Sequence, residues 1–177
     1  MRAMADILKP LFSKQDIHKA IKRLAAAISR DYRGEEVICV CILKGSFMFT
    51  SDLIRQIKVP TVVDFIRVSS YGTGMESKGE VTITKDLEMD ISGKNVLIVE
   101  DIIDSGLTLK WIRDMLASRN PRSLRIVALV DKKARRKVDV PCDYVGFTIE
   151  DGFIVGYGID HAEKYRNLPD IQVVEKP

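Results

Sequence analysis

The sequence VLIVEDIIDSGLTL, residues 96–109, combines the signals that decide the fold of this chain. It opens with an apolar, β-branched run typical of a strand that is covered on both faces. Three acidic side chains and a Ser-Gly pair follow, and apolar residues then return at helical spacing. We predict a buried strand that ends before two carboxylates, a short loop from Asp104, and a helix that begins near Thr108.

The loop at residues 104–108 is the first candidate site, because ligands of open α/β sheets bind beyond the carboxyl ends of the strands. Small residues let backbone N–H groups turn inward, and a helix N-terminus adds partial positive charge, so the loop can hold an anion. Carboxylates repel phosphate at close range, but they accept hydrogen bonds from sugar hydroxyls and bind divalent cations. The stretch therefore predicts a phosphorylated ribose as ligand. Its predicted ribose and phosphate contacts are Glu100, Asp101, Ser105, Gly106, Leu107 and Thr108.

Strands and helices alternate along the rest of the chain. A capping box at Ser13 and Asp16 predicts a first helix, and the doubly apolar run Val37–Leu43 predicts a buried strand. Further strands are predicted at 61–69, from 81, at 124–130 and at 171–174. A second helix is predicted at about 47–56. Two short strands, 144–149 and 153–157, are predicted to pair with each other. This alternation predicts an α/β fold around a mainly parallel sheet.

The composition is that of one globular domain. The chain has 177 residues, 46% of them hydrophobic, with 28 Lys plus Arg against 25 Asp plus Glu. This hydrophobic content and the near balance of charges exclude disorder as the main state of the chain. No apolar run approaches the roughly 18 residues that a membrane-spanning helix needs. We expect a cytoplasmic protein, since no signal-peptide core is present and the three cysteines form no C-x-x-C pair. A net charge of +3 does not make nucleic acid an expected partner.

Residues 96–109 resemble the phosphoribosyl-diphosphate-binding motif of the type I phosphoribosyltransferases. The segments LKGS (43–46), VDFI (63–66) with SSYG (69–72), and DGFIVGYGID (151–160) resemble the hypoxanthine-guanine phosphoribosyltransferases. The similarity spans about residues 37–168. It implies one phosphoribosyltransferase domain over 1–177, with a mainly parallel central sheet flanked by helices, a small hood subdomain formed by the terminal segments, and a mobile lid loop at about 70–80.

The resemblance also implies a reaction, in which a purine nitrogen replaces pyrophosphate on the anomeric carbon of phosphoribosyl diphosphate. Asp104 would be the general base that faces the purine imidazole, although an aspartate at this place can also simply cap a helix. Lys132 would contact the exocyclic oxygen of hypoxanthine or guanine and reject adenine, unless it is a solvated lysine beside Lys133. Phe153 would stack on the purine, and the Ile154 backbone would read its edge.

Pyrophosphate and Mg²⁺ complete the set of implied ligands. The implied pyrophosphate contacts are Lys44, Gly45 and Arg166. The Lys44–Gly45 peptide is often cis in the family, and the sequence leaves open which form it takes here. The implied magnesium ligands are Glu100, Asp101 and Asp160, and Ser70 and Tyr71 would begin the lid. The resemblance also implies a homodimer or a homotetramer.

Two questions stay open at this point. The pattern does not separate a preference for hypoxanthine, guanine or xanthine. The alternative function is that of a nucleotide-sensing RNA or DNA regulator, in which the basic run KKARRK (132–137) would contact a phosphate backbone. The set Asp104, Phe153 and Asp160 favours the enzyme, because a sensor would not need it.

Overall fold

The computed structural model describes residues 7–70 and 81–175. Its elements in chain order are β1 (Ile7–Phe12), α1 (Lys14–Asp31), β2 (Val37–Leu43), α2 (Phe47–Ile54), β3 (Thr61–Ser70), β4 (Val81–Lys85), β5 (Asn95–Ile103), α3 (Leu107–Ala117), β6 (Ser123–Lys132), β7 (Tyr144–Ile149), β8 (Ile154–Val155) and β9 (Ile171–Glu175). No described helix is long and apolar enough to cross a membrane.

The central sheet has the strand order β4-β3-β2-β5-β6-β7. All its neighbours pair in parallel except β4, which is antiparallel to β3. Side chains alternate across β5: Leu97 and Val99 pack with α1 and α2, whereas Val96 and Ile98 pack with α3. Helices therefore cover both faces, and the predicted α/β fold with a mainly parallel sheet is confirmed.

A second, three-stranded sheet has the order β1-β9-β8 and joins the two ends of the chain. The prediction that 144–149 pairs with 153–157 is wrong, because β7 pairs with β6 while β8 pairs with β9. The chain changes sheets at Gly152, whose φ of 127° is open to glycine but rare for other residues. Strand β1 was not predicted, since Lys9 and Pro10 interrupt its apolar pattern. Proline suits its place at the sheet edge.

Strand β5 is longer than predicted, which changes where the acid pair lies. Parallel pairing continues through Glu100 with Ala128 as far as Ile103 with Asp131. Glu100 and Asp101 therefore lie within the strand rather than after it.

The predicted capping box of α1 is confirmed, with Ser13 as its N-cap.

The end of β2 carries a cis peptide bond. The bond joins Leu43 to Lys44, one residue before the Lys44–Gly45 peptide whose form the sequence left open. The cis bond follows directly on the last residue of the strand.

The two predicted lid residues are Ser70 and Tyr71. Ser70 is the last residue of β3 and pairs with Val81, and Tyr71 lies outside the described residues.

Candidate active site

Strands β5 and β6 bring the candidate base and the candidate purine-selecting lysine together. Because Ile103 pairs with Asp131, the next residues along each strand, Asp104 and Lys132, are neighbours. Lys132 Nζ lies 3.3 Å from Asp104 Oδ1, and the lysine side chain is 6% exposed against 39% for the aspartate. Lys132 Nζ also donates to the Gly152 carbonyl at 3.2 Å. A buried ammonium is thus held between a carboxylate and a peptide oxygen.

The alternative lysine, Lys133, lies elsewhere. Its ammonium pairs with Asp131, and its side chain is 47% exposed. Lys133 therefore has the solvent-exposed side chain that is typical of a basic run such as residues 132–137. Only Lys132 of the two has an ion pair with Asp104 in the described part of the chain.

Phe153 follows Gly152 and is one of the large apolar side chains that the fold leaves exposed, at 44%. Its ring meets the imidazole of His161 edge to face, with the ring centroids 4.8 Å apart. Ile154 next to it is buried and belongs to β8. Phe153 therefore offers an aromatic surface beside the peptide oxygen that Lys132 binds, which suits a flat heterocycle.

The loop after β5 has the form of an anion site. Gly106 is the N-cap of α3 with a φ of 81°, and Lys110 N donates to its carbonyl at 2.8 Å. The first N–H groups of a helix have no partner within the helix, so they are available to an anion. A cavity of about 120 Å³ lies here; its lining residues are Glu100, Ile102, Ile103, Asp104, Ser105, Gly106, Thr108 and Leu109. Of the predicted contacts, Asp101 and Leu107 are not in this lining.

Glu100 and Asp101 form a tight acidic pair. Glu100 is 9% exposed, and its Oε1 accepts a hydrogen bond from the Asp101 N–H at 3.0 Å. Burial raises the pKa of Glu100 well above its usual range, and the adjacent Asp101 charge raises it further. A bound cation or a set of hydroxyl donors would therefore be favourable at this pair.

Gly45 connects the acidic pair to two other parts of the chain. A Cβ added at Gly45 would lie 1.8 Å from Asp101 Oδ2, and one added at Gly158 would lie 2.2 Å from the Gly45 carbonyl oxygen. The loop after β2, the end of β5 and the loop before β9 are thus in direct contact. Glycine is required at both places by close approach.

The two candidate pyrophosphate cations meet through a residue that sequence reasoning missed. Lys44 Nζ donates to Glu163 Oε2 at 2.9 Å, and Arg166 lies 3.3 Å from the same oxygen. Arg166 also pairs with Asp160 Oδ1 at 2.8 Å. The hydrogen bond from Lys44 lowers the pKa of Glu163, and Arg166 acts in the same direction. No sequence signal distinguished Glu163 from other exposed acids.

The candidate magnesium ligands occupy two places. Within residues 7–70 and 81–175, no group of three or more His, Cys, Asp or Glu side chains is gathered as a metal site. Glu100 and Asp101 form one position, while Asp160 lies with Arg166. The desolvated charge of the first pair fits a divalent cation, which takes one or two carboxylates together with waters and phosphate oxygens.

The parallel sheet, the acidic pair near its carboxyl edge and the Ser-Gly loop before α3 define an α/β protein with a candidate ligand site at the place where open α/β sheets bind their ligands. The family model described as "Phosphoribosyl transferase domain" matches residues 9–162, and the chain belongs to that family.

Individual relatives narrow the comparison. The "Hypoxanthine phosphoribosyltransferase" of Haemophilus influenzae is 52% identical over 161 residues, covering 89% of this chain and 90% of the relative. A "Hypoxanthine-guanine phosphoribosyltransferase" of Staphylococcus aureus is 51% identical over 166 residues, covering 94% and 93%. A crystal structure of a hypoxanthine-guanine phosphoribosyltransferase from Bacillus anthracis is 49% identical with a TM-score of 0.89, covering 97% and 99%. The resemblance drawn from the motifs is confirmed, and the alternative of an RNA or DNA regulator gains no support.

The contact between Gly45 and Asp101 can be tested by stability alone. We expect Gly45→Ala to lower the free energy of unfolding by about 1–3 kcal/mol, because the new methyl group and the carboxylate cannot occupy the same space. In an Asp101→Ala background the same substitution should cost much less. Chemical denaturation of the four proteins measures the coupling. An equal cost in both backgrounds would show that the two residues do not constrain each other.

Proposed function

We propose that this protein transfers the 5-phosphoribosyl group of phosphoribosyl diphosphate to hypoxanthine or guanine, giving IMP or GMP and pyrophosphate in purine salvage. The bond from the anomeric carbon to the diphosphate oxygen breaks, and a bond from that carbon to a purine nitrogen forms. The observation that carries the proposal is the buried Lys132 ammonium held between Asp104 and the Gly152 carbonyl. The names of relatives near 50% identity support it.

The purine pocket would be assembled around Lys132. Its ammonium forms an ion pair with Asp104 and donates a hydrogen bond to the Gly152 carbonyl, and an ammonium has three donors and no acceptor. A donor that Gly152 does not use can serve the exocyclic oxygen of a 6-oxopurine, whereas adenine presents an amino group there and leaves a buried donor unpaired. Phe153 would stack on the base, and the backbone of Ile154 would read its edge.

Asp104 would accept the proton that the purine nitrogen loses as it bonds to the sugar. A carboxylate on the loop edge is suited to this, because it is partly exposed yet held by the lysine that orients the base. Position and charge together would supply the catalysis.

The ribose hydroxyls would bind Glu100 and Asp101, and the 5-phosphate would bind residues 105–108. Mg²⁺, held by Glu100 and Asp101 with Asp160 at a second position, would supply positive charge that offsets the diphosphate. Lys44, the Gly45 backbone and Arg166 would contact the leaving pyrophosphate. Because Glu163 pairs with both cations, pyrophosphate would replace that carboxylate when it binds.

Three further features belong to the proposal. Ser70 and Tyr71 would begin a lid over the reacting centre, the terminal strands would act as a hood, and the protein would work in the cytoplasm as a homodimer or homotetramer.

Turnover tests the function directly. The protein is mixed with phosphoribosyl diphosphate, Mg²⁺ and hypoxanthine, guanine, xanthine or adenine in separate reactions, and pyrophosphate is measured. We expect product with hypoxanthine or guanine and at least about 10²-fold less with adenine. The absence of product with every purine would contradict the proposal.

Replacement of the candidate base tests its role. We expect Asp104→Asn to lower kcat by about 10²-fold or more, since the amide cannot accept the purine proton, with little change in phosphoribosyl diphosphate affinity. Asp139→Asn, at an exposed position of the same charge, is the matched control. Unchanged kcat would leave Asp104 with a structural role only.

Purine selection is tested at adjacent lysines. Lys132→Gln should raise the KM for hypoxanthine by about 10-fold or more. It should also lower the ratio of kcat/KM for hypoxanthine to kcat/KM for adenine, because glutamine offers both a donor and an acceptor. Lys133→Gln, which changes an exposed lysine, should leave the KM and this ratio nearly unaltered. Equal effects of the two substitutions would refute selection by Lys132.

A further inference from the structure

Arg136 lies within the basic run KKARRK, yet its environment differs from that of its neighbours. Its side chain is 17% exposed, whereas the adjacent Arg135 is exposed. A buried guanidinium needs acceptors for its five donors, so its contacts indicate what it holds in place.

The Arg136 guanidinium joins the ends of the two central strands. Nε donates to the Asp104 carbonyl at 3.1 Å, and Nη2 lies 3.3 Å from the Ile103 carbonyl oxygen. On the other strand, Nη2 lies 3.2 Å from the Lys132 carbonyl oxygen and pairs with the Asp131 carboxylate. One side chain therefore bonds to the backbone of both the candidate base and the candidate purine-selecting lysine.

The backbone after Arg136 continues this contact. The N–H groups of Lys137 and Val138 donate to the Ser105 carbonyl at 2.9 and 3.3 Å. Three successive carbonyls, those of Ile103 at the end of β5 and of Asp104 and Ser105 after it, thus accept hydrogen bonds from residues 136–138. In a planar trans peptide the N–H points opposite to the C=O, so the N–H groups that follow these carbonyls face away from residues 136–138. An anion-binding loop needs that orientation.

We propose that Arg136 is a positioning residue of the transfer reaction, which holds Asp104 and Lys132 at their mutual distance by bonding to the backbone of both. This inference rests on the proposed function. Arg136 would make no contact with the reacting atoms. It acts through the loop at one end of β5 and through the end of β6.

A guanidinium is needed here rather than a positive charge alone. The planar fork can bond to several acceptors in fixed directions at once, whereas an ammonium at the end of a lysine chain is a compact point charge. If charge were the only requirement, Arg136→Lys would retain function. If the geometry matters, lysine at this position should fail even though the charge is kept.

The division of contacts predicts which kinetic constant changes. The Arg136 side chain holds Ile103, Asp104 and Lys132, while backbone groups of the following residues hold Ser105 in the phosphate loop. Loss of the guanidinium should therefore disturb the base and the purine contact more than phosphate binding. A displacement of this kind costs about 10- to 10²-fold in rate.

The experiment compares Arg136→Lys with the matched control Arg135→Lys in the full chain. For Arg136→Lys we expect kcat with hypoxanthine to fall by about 10-fold or more, its KM to rise, and the KM for phosphoribosyl diphosphate to change by less than about 3-fold. Arg135→Lys should match the unaltered protein. Hydrogen–deuterium exchange of the peptide that covers residues 103–109 should be faster only in Arg136→Lys.

Unaltered kcat in Arg136→Lys, or equal losses in both variants, would overturn the proposal. Arg136→Ala with added guanidinium ion is the second variant: partial return of kcat supports the proposal, and no return while the protein stays folded contradicts it. If the unaltered protein formed no product, the proposed function would fail. Exchange at 103–109 would then decide the role of Arg136 without reference to turnover.

Discussion

The parallel register of β5 with β6 is the constraint on which the site depends. Ile103 pairs with Asp131, and this pairing places Asp104 next to Lys132. In a strand, a slip of one residue turns every side chain to the opposite face. The apolar residues of β5 prevent such a slip, because Leu97 and Val99 must meet one helical layer while Val96 and Ile98 meet the other. Packing of the core thus determines the chemistry at the sheet edge.

Buried charge is a second constraint on the candidate site. Lys132 and Glu100 are 5% and 9% exposed, and a charge with so little water is costly unless it is paired. Lys132 is satisfied by Asp104 and Gly152, whereas Glu100 has a like charge next to it. The first arrangement is stable in the free protein. Burial and that like charge raise the pKa of Glu100, so a bound cation or sugar hydroxyls would offset an electrostatic cost that the free protein carries.

Local patterns in the sequence predicted what local physics determines. The doubly apolar run Val37–Leu43 forms β2 with those bounds, and the Ser13 capping box begins α1. The local sequence did not predict strand β1, because the strand is stabilised by pairing with β9 at the far end of the chain. The contacts of Glu163 and Arg136 were not predicted for the same reason, because their partners, Lys44 and the backbone of residues 103–104, are distant in sequence. Glu163 lies in no pattern that predicts a contact, and the basic run that contains Arg136 suggested a phosphate backbone rather than these carbonyls.

The purine site depends on two sheets, which the motifs alone could not reveal. Lys132 ends a strand of the central sheet, whereas Ile154 belongs to the sheet formed by both chain ends. The hydrogen bond from Lys132 to the Gly152 carbonyl spans the place where the chain leaves one sheet for the other. Phe12 of β1 stacks on Phe147 of β7, with the ring centroids 3.9 Å apart, and so also joins the two sheets. In the proposed function, ribose phosphate binding would by contrast use residues of the central sheet and its loop. Sugar recognition would then depend on the central sheet alone, whereas base recognition would also require the sheet of the terminal strands.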